Sequence, residues 1–292
     1  MKLATARFDG ATRVVRVDDA EGFARPLRAR GAEIRTMLEL IEGGAAAVQD
    51  AVADDERWPL DKVQFLAPIP RPRRNVFCVG KNYRAHALEF TRSGFDSSAR
   101  TASDAIPGAP IVFTKVPECV IGPGDTIRYP GQATTQLDYE AELGVVVGKG
   151  GAFIAPEDAM AHVLGYTIIN DVTARDRQAR FKQWFLGKSL DTFCPMGPWI
   201  TTADEFDVGS ATVRCWVNGE LRQNARTSDL IFDVPTLIAT ISEGLTLLPG
   251  DVIATGTPEG VGIGFDPPRF LQRGDVVSIE IDHLGRLENR VG

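Results

Sequence analysis

Short apolar segments separated by glycine and proline dominate the sequence from Asn75 onward. Their length and their content of β-branched and aromatic residues predict strands. The segments are NVFCVG, PIVFTK, ELGVVVG, VLGYTIIN, PWITT, TVRCWVNGELRQ, DVIATG and DVVSIEID. A doubly wound parallel sheet needs long crossover helices between its strands, and the sequence lacks that alternation. The pattern therefore predicts a β-rich α+β fold, arranged as a roll or barrel.

Local signals place turns and a few short helices between these strands. Asn218-Gly219 lies between two apolar runs and suits a hairpin turn with positive φ. APEDAMAHV has Pro156 where a first helical turn tolerates proline, and DVPTLIATIS has Asp233 as a candidate N-cap. We therefore expect helices to be few and short.

The beginning of the chain predicts a small unit of its own. KLATARF and TRVVRV predict a hairpin around DGA, EIRTMLELI predicts a helix that ends at Gly43-Gly44, and AAAVQDAVA predicts a second helix. The proline-rich stretch LAPIPRPRRN then predicts a rigid extended linker. We expect a small N-terminal α+β domain over residues 1–70 and a larger domain over residues 71–292.

Composition argues against several classes of partner. The 292-residue chain carries a net charge of −7 without a basic patch, which argues against nucleic acid as a partner. Its apolar runs are too short to span a bilayer, so we expect no membrane partner. Arg7 and Asp9 occupy the place of a signal peptide's apolar core. The cysteines are widely spaced, so reduced thiols in a cytoplasmic protein are the simplest interpretation.

A group of carboxylates opens one of the predicted strands. In DYEAELGVVVG, the acidic residues Asp138, Glu140 and Glu142 stand at every second position. Residues two apart in a strand point to the same face, so these three are expected to share one. Like charges in a row need water or a cation between them. The stretch is therefore either the solvated face of an edge strand or part of a metal site.

A further carboxylate, Asp171, directly follows the predicted strand VLGYTIIN. It can cap the following turn, or it can join Glu140 and Glu142 as an oxygen ligand of a hard divalent cation such as magnesium, manganese or calcium. Three carboxylates would leave an excess negative charge on a divalent ion. Arg175 and Lys188 are candidates to balance an anionic substrate there, although isolated residues of these types are commonly surface charges.

Two more segments carry candidate chemistry. His86 and Glu89 in GKNYRAHALE are three residues apart, so on a helical turn the carboxylate can orient the imidazole as a general base. A surface pair without function would show the same spacing. The polar stretch TRSGFDSSARTASDAIPG that follows is expected to be a lid or a disordered loop. In VIATGTPEGVG, glycines beside Thr257 allow close approach of the backbone to a ligand, or they form a plain turn.

Taken together, these motifs resemble the fumarylacetoacetate hydrolase family, over roughly residues 70 to 290. GKNYRAHALE is similar to the lid motif of that family, DYEAELGVVVG to its E-x-E metal motif and GYTIINDVTARDRQ to the segment of the third metal carboxylate. GKSLDTFCPMGPW and ATGTPEGVG are similar to its lysine and threonine motifs. The resemblance is to bacterial members of the acylpyruvase and 2-hydroxyhepta-2,4-diene-1,7-dioate isomerase type.

The resemblance implies a mixed β-sandwich roll, a homodimer and a role for each motif residue. It implies that magnesium or manganese is bound by three carboxylates, Glu140, Glu142 and Asp171, and that Asp138 is not a ligand. The implied catalytic residues are His86, Glu89 and Lys188. The implied binding residues for the anionic end of the substrate are Arg175, Gln178 and Thr257.

The implied activity is hydrolysis of a carbon–carbon bond in acylpyruvate-like β-diketo acids, as in aromatic catabolism. A metal acting as a Lewis acid on a 2-oxo group would favour the enolate that this cleavage produces. The same enolate arises when oxaloacetate is decarboxylated or when a proton moves in an isomerase or tautomerase of dicarboxylic 2-oxo acids. These reactions remain alternatives at the same site. A non-catalytic binder of oxo acids is a third possibility, but it has no need of the His86–Glu89 pair.

Overall fold

The computed structural model describes residues 1–29, 31–96 and 104–292. The strands are β1 Lys2–Phe8, β2 Ala11–Asp18, β3 Phe23–Ala29, β4 Ala32–Glu33, β5 Val52–Ala53, β6 Trp58–Pro59, β7 Gln64–Phe65, β8 Val76–Gly80, β9 Ile111–Lys115, β10 Val120–Ile121, β11 Leu137–Asp138, β12 Ala141–Val147, β13 Val163–Asn170, β14 Thr173–Ala174, β15 Cys194–Thr202, β16 Thr212–Val217, β17 Glu220–Arg226, β18 Val252–Ala254, β19 Val276–Ile281 and β20 Gly285–Arg290. The α-helices are α1 Met37–Glu42, α2 Gly44–Asp50, α3 Arg84–Arg92, α4 Arg175–Arg180, α5 Phe185–Lys188 and α6 Val234–Ser242. Strands clearly predominate, and the prediction of a β-rich α+β fold is confirmed.

The strands form one large sheet and two smaller ones. The large sheet has the order β4-β3-β2-β1-β15-β13-β12-β18-β8-β9, with β5, β6, β7 and β10 paired to its members. Its neighbours are antiparallel except at β8–β18 and β10–β15. The second sheet has the order β17-β16-β19-β20, and β11 pairs with β14 alone. All of the strands predicted from the apolar segments are present.

The centre of the large sheet is buried on both faces. Every residue of β12 is buried, and six of the eight residues of β13 are buried. A strand that is covered on both faces has a continuous apolar sequence rather than an alternating one. The segments LGVVV in β12 and TII in β13 are continuous in this way. Glu142 lies inside this run at 1% exposure, so its carboxylate needs a specific partner in the interior.

The N-terminal unit has the predicted hairpin and two helices, with shifted boundaries. The first predicted helix does not start at Glu33, because Glu33 belongs to β4. Helix α1 begins after its N-cap Thr36, whose hydroxyl accepts from the Glu39 N–H at 3.1 Å. The second predicted helix ends at Asp50, and the following residues form β5 against β3. Strand β1 pairs with β15, so this unit continues the large sheet. A domain boundary near residue 70 stays a prediction.

The predicted turn and caps are also present. Asn218 and Gly219 have φ of 52° and 80°, as a hairpin of this type requires. Asp233 caps α6 by accepting from the Thr236 N–H at 2.9 Å. The segment that begins with Pro156 winds as a 3₁₀ helix to His162 rather than as an α-helix. None of the helices within the described ranges has the length and hydropathy needed to cross a bilayer.

Candidate active site

Antiparallel pairing of β12 with β13 brings the candidate metal carboxylates together. Ala141 lies opposite Asn170, so the residues just outside these positions, Glu140 and Asp171, become neighbours. The Asp171 N–H donates to the Glu140 carbonyl at 2.9 Å, and the Asn170 side chain accepts from the Glu140 N–H at 3.1 Å. The two strand ends are thereby held in register beside Glu142, the second residue of β12.

The carboxylates of Glu140, Glu142 and Asp171 form a buried cluster. One oxygen from each lies within 4.8 Å of the others, and the residues are 4%, 1% and 0% exposed. The interpretation of this stretch as a solvated strand face is therefore wrong. The donor set consists of oxygen ligands, which suits a hard divalent cation. The chemistry of these residues thus fits the predicted metal.

Asp138 lies outside the cluster of Glu140, Glu142 and Asp171, which corrects the continuous row of three acids expected from the sequence. Tyr139 and Glu140 lie between β11 and β12, so the period of two is interrupted there. The Asp138 carboxylate turns instead to Arg175 Nε at 2.8 Å and to the backbone N–H groups of Gly262 and Ile263 at 2.6 and 3.1 Å.

Lysine side chains balance part of the negative charge. Lys188 Nζ donates to Glu140 Oε2 at 2.8 Å and to Asp171 Oδ2 at 2.9 Å. Lys115 Nζ donates to Asp171 Oδ1 at 2.5 Å, to the Val172 carbonyl and to the Lys188 carbonyl. Both lysines are buried, so neither is a surface charge. Together they fix both oxygens of Asp171 and the position of Lys188.

The acids of the E-x-E motif have opposite pKa shifts. Burial alone would raise the pKa of Glu140, but Lys188 and Arg175 outweigh it and bring that pKa to about 2. Burial, with Asp171 and Glu140 close by, raises the pKa of Glu142 well above its ordinary value. Glu142 has a backbone donor, the Gly256 N–H at 2.8 Å, and no ion pair within the described residues. A divalent cation would compensate this charge.

Arg175 lines the site and has one guanidinium nitrogen, Nη2, without a hydrogen-bond partner among the described residues. Nη1 contacts Glu140 Oε1 at 2.7 Å and Gln178 Oε1 at 3.1 Å, while Nε is taken by Asp138. Nη2 is buried and has no hydrogen-bond partner within the part of the chain that the structure describes. A buried unpaired donor of this kind is costly unless an acceptor arrives, and a carboxylate is a suitable one.

The His86–Glu89 pair lies on α3, with His86 buried and Glu89 largely covered, so it is not the surface pair considered as an alternative. His86 Nδ1 is 3.1 Å from Glu89 Oε2, and their side chains are 5% and 16% exposed. Glu89 Oε1 accepts from the Gly260 N–H at 2.9 Å. The pair is therefore docked onto the loop that follows β18. The predicted lid continues into residues 97–103, which lie outside the described residues.

The loop over residues 255–264 contacts the rest of the site mainly through its backbone. Its N–H groups reach Glu142, Glu89 and Asp138 as described above. Gly256 has a φ of 104°, and a Cβ at this position would lie 2.7 Å from the Asn82 Cβ. Glycine is required here because the loop packs closely against protein groups. The Thr257 hydroxyl accepts from Gln223 Nε2 at 2.8 Å.

The structure brings most of the predicted functional residues to one cavity. Its lining includes His86, Glu140, Arg175, Gln178, Lys188 and Thr257. Aromatic side chains form the remaining wall, from Phe90, Phe113 and Trp184. The cavity measures about 10 Å³, which is room for about one water molecule. A larger ligand can enter only if a wall such as α3 moves.

Comparison with known proteins identifies the family. The model of the fumarylacetoacetate hydrolase C-terminal domain matches residues 75–292. The chain belongs to the fumarylacetoacetate hydrolase family. That match covers every site residue described above, so the motifs lie in the family's own domain.

Several relatives of this family are closely similar to the chain. Oxaloacetate tautomerase YisK from Bacillus subtilis is 52% identical over 237 residues, which is 80% of this chain and 75% of that protein. Human mitochondrial oxaloacetate tautomerase FAHD2A is 42% identical over 264 residues, covering 88% and 80%. Among solved structures, a fumarylacetoacetate hydrolase from Exiguobacterium antarcticum has a TM-score of 0.82 at 40% identity, over 100% and 99% of the two chains. A 2-hydroxyhepta-2,4-diene-1,7-dioate isomerase from Mycobacterium marinum has a TM-score of 0.78 at 34% identity, over 100% and 98%.

Sequence reasoning missed two buried residues of the site, Lys115 and Gln223. Lys115 ends strand β9, and a lysine that closes an apolar strand is a weak signal of a buried charge. Gln223 lies on the β16–β17 hairpin, where its neighbours suggest an exposed strand. The roles of the predicted residues as metal ligands, catalytic groups and substrate contacts remain predictions of the family resemblance.

Proposed function

We propose that this member of the fumarylacetoacetate hydrolase family is a divalent-metal-dependent tautomerase of oxaloacetate-like dicarboxylic 2-oxo acids. The observation that carries the proposal is 52% identity to an oxaloacetate tautomerase over 80% of this chain. The cavity supports it, since one imidazole lines it together with Arg175 and Lys188, and these cationic groups suit a dicarboxylate. This is the alternative left open by the sequence, and it now replaces hydrolysis as the leading activity.

Glu140, Glu142 and Asp171 would hold the metal, for which we propose magnesium or manganese because all the donors are carboxylate oxygens. When bound, such a cation acts as a Lewis acid on a 2-oxo group. Arg175 Nη2 supplies an unpaired donor for the adjacent carboxylate of the substrate, with Gln178 and Thr257 beside it. These contacts would hold the oxo acid in one orientation.

His86 is the proton carrier in this proposal. Glu89 contacts Nδ1, so that nitrogen carries the hydrogen and Nε2 is left as the base. Nε2 removes a proton from C3 of the oxo acid, and the electrons of the C–H bond collect on the 2-oxo oxygen as an enolate. Lys188 is close enough to the carboxylate cluster to stabilise that charge. Return of the proton to oxygen gives the enol, and return to carbon gives the keto form.

Hydrolysis of acylpyruvates is the second candidate, because a histidine held by a carboxylate can also activate water. The test is a comparison of three measurements with magnesium present: keto–enol exchange of oxaloacetate, carbon dioxide release from oxaloacetate, and pyruvate release from an acylpyruvate. We expect exchange to have the highest kcat/KM. His86→Ala should slow exchange by about a hundred- to ten-thousandfold, the usual value of a general base. A higher kcat/KM for the acylpyruvate would overturn the proposal.

We further propose a cytoplasmic homodimer. Phe181, Phe185 and Leu186 are 37%, 41% and 42% exposed on and between α4 and α5, and apolar surface of this kind supports an interface. Light scattering of the purified protein checks this, and a monomer at micromolar concentration would contradict it.

A further inference from the structure

Gln223 joins the second sheet to the candidate active site through one buried amide group. The residue lies on β17 and is 0% exposed. Its Nε2 donates to Thr257 Oγ1 and to the Pro258 carbonyl, both at 2.8 Å. Its Oε1 accepts from the Ala141 N–H at 3.1 Å. All three partners belong to the elements that carry the site.

The orientation of this amide follows from what its partners can do. A backbone N–H can only donate, so the Gln223 oxygen must face Ala141. A carbonyl can only accept, so the Gln223 nitrogen must face Pro258 and, with it, Thr257. The Thr257 hydroxyl therefore receives a hydrogen from Gln223 and keeps its own hydrogen for another acceptor. The part of the chain that the structure describes supplies no acceptor for that hydrogen.

The Thr257 side chain lies at the cavity that we propose for the substrate. Thr257 is 2% exposed and lines the same cavity as Arg175 and Gln178. A hydroxyl that gave its hydrogen to the protein would present lone pairs to this cavity and repel a carboxylate. With Gln223 as the donor, the hydroxyl presents its hydrogen instead.

We propose that Gln223 is a positioning residue that makes the Thr257 hydroxyl a hydrogen-bond donor to the carboxylate of a bound 2-oxo acid. The inference rests on the proposed function, because it needs an oxo acid in the cavity. It extends that function by assigning a role to the second sheet, because Gln223 on its β16–β17 hairpin sets the direction of a hydrogen bond in the loop over residues 255–264.

The test is a double-mutant cycle on ligand binding. The probe is pyruvate, titrated with magnesium present into the full-length protein by calorimetry. Thr257→Val removes the hydroxyl and should weaken binding about 10- to 150-fold, the range for a hydrogen bond to a charged group. Gln223→Met keeps the side-chain length and should weaken it about two- to tenfold. In the Thr257→Val background, Gln223→Met should change pyruvate affinity no further.

Controls separate positioning from a general loss of structure. Asn289 is also a buried amide, with its nitrogen on the carbonyls of Gly122 and Asp125, but it lies outside the cavity. Asn289→Leu should lower the melting temperature and leave pyruvate affinity unchanged. Magnesium affinity of Gln223→Met should match the wild type, which shows that Ala141 still holds its neighbours Glu140 and Glu142 in place.

The outcomes also separate this inference from the proposed function. Equal weakening by Gln223→Met in both backgrounds would overturn the role of Gln223, even if oxaloacetate is turned over normally. A wild type that binds pyruvate and shows the coupling but does not exchange oxaloacetate would overturn the proposed function alone. A wild type that exchanges oxaloacetate but binds no pyruvate would overturn this inference alone, and one that does neither would overturn both.

Discussion

Replacing Gly264 with alanine is expected to disconnect Glu89 from the rest of the site. A Cβ at Gly264 would overlap Oε1 and Cδ of Glu89 and lie 2.7 Å from its Cγ. Gly264 is not among the glycines with positive φ, so its backbone accommodates alanine without strain. Because these Glu89 atoms are the end of a flexible side chain, the carboxylate should move and the loop should stay.

The size of the effect follows from the contacts of Glu89. Moving the carboxylate breaks its bond to the Gly260 N–H and its contact with His86 Nδ1, at 2.9 and 3.1 Å. A hydrogen bond to a charged group contributes about 1.5–3 kcal/mol, which corresponds to about 10- to 150-fold in rate. We therefore expect kcat for oxaloacetate keto–enol exchange to fall by that factor, with the melting temperature within a few degrees of the wild type.

The assay is the rate of exchange followed by enol absorbance, in single and double variants. In a Glu89→Ala background the new methyl group has room, so Gly264→Ala should add no further loss. Gly244→Ala is the matched control, because a Cβ there meets nothing within 4 Å. A wild-type rate for Gly264→Ala, or the same loss in both backgrounds, would refute the role of Glu89 as the orienting group for His86.

Three further predictions concern the metal site and the lid. In metal-free protein, Glu142→Gln should raise the melting temperature, more at about pH 8 than at about pH 5, because the raised pKa of Glu142 means that stability is lost as the pH rises through it. Magnesium should raise the melting temperature of the wild type and not of this variant, and the reverse pattern would count against the site. Lys115→Met should lower stability by about 3–5 kcal/mol in denaturant unfolding, since it removes the buried cation at Asp171 Oδ1, and a neutral result would show that Lys188 at Oδ2 suffices. Backbone amides of α3 should gain protection from hydrogen exchange when magnesium and pyruvate are added, whereas equal protection with and without ligand would contradict movement of a lid.

Local sequence patterns were sufficient for most strands and for the cluster of candidate metal carboxylates. Glu140 and Glu142 are two apart at the start of a strand, and Asp171 directly follows one, so pairing of those two strands was enough to bring them together. Asp138 continues the series in the sequence, but the strand is interrupted between Asp138 and Ala141, and the Asp138 carboxylate pairs with Arg175. Alternation predicts a shared face only while the strand is unbroken.

Residues that depend on sheet order could not be predicted in the same way. Lys115 reaches Asp171 across 56 positions of sequence, and Gln223 reaches Ala141 across 82. Each contact requires knowing which strand is adjacent to which, and in the second case how two sheets meet. Neither residue has a local pattern that distinguishes it from an exposed charge or amide. The helical spacing that begins at Glu33 also placed the start of α1 too early, because Glu33 pairs with Arg28 of β3 as part of β4.

The loop over residues 255–264 would couple the affinity for a cation to the position of α3. The Gly256 N–H donates to Glu142 and the Gly260 N–H donates to Glu89, so both hydrogen bonds depend on the same loop conformation. A cation that fixes Glu142 would stabilise that conformation and with it the docked α3. Linkage between two binding events is reciprocal. In the proposed reaction, an oxo acid that closes α3 would therefore raise the affinity for the cation by the same factor by which the cation raises the affinity for the acid, and release of the product would lower it again.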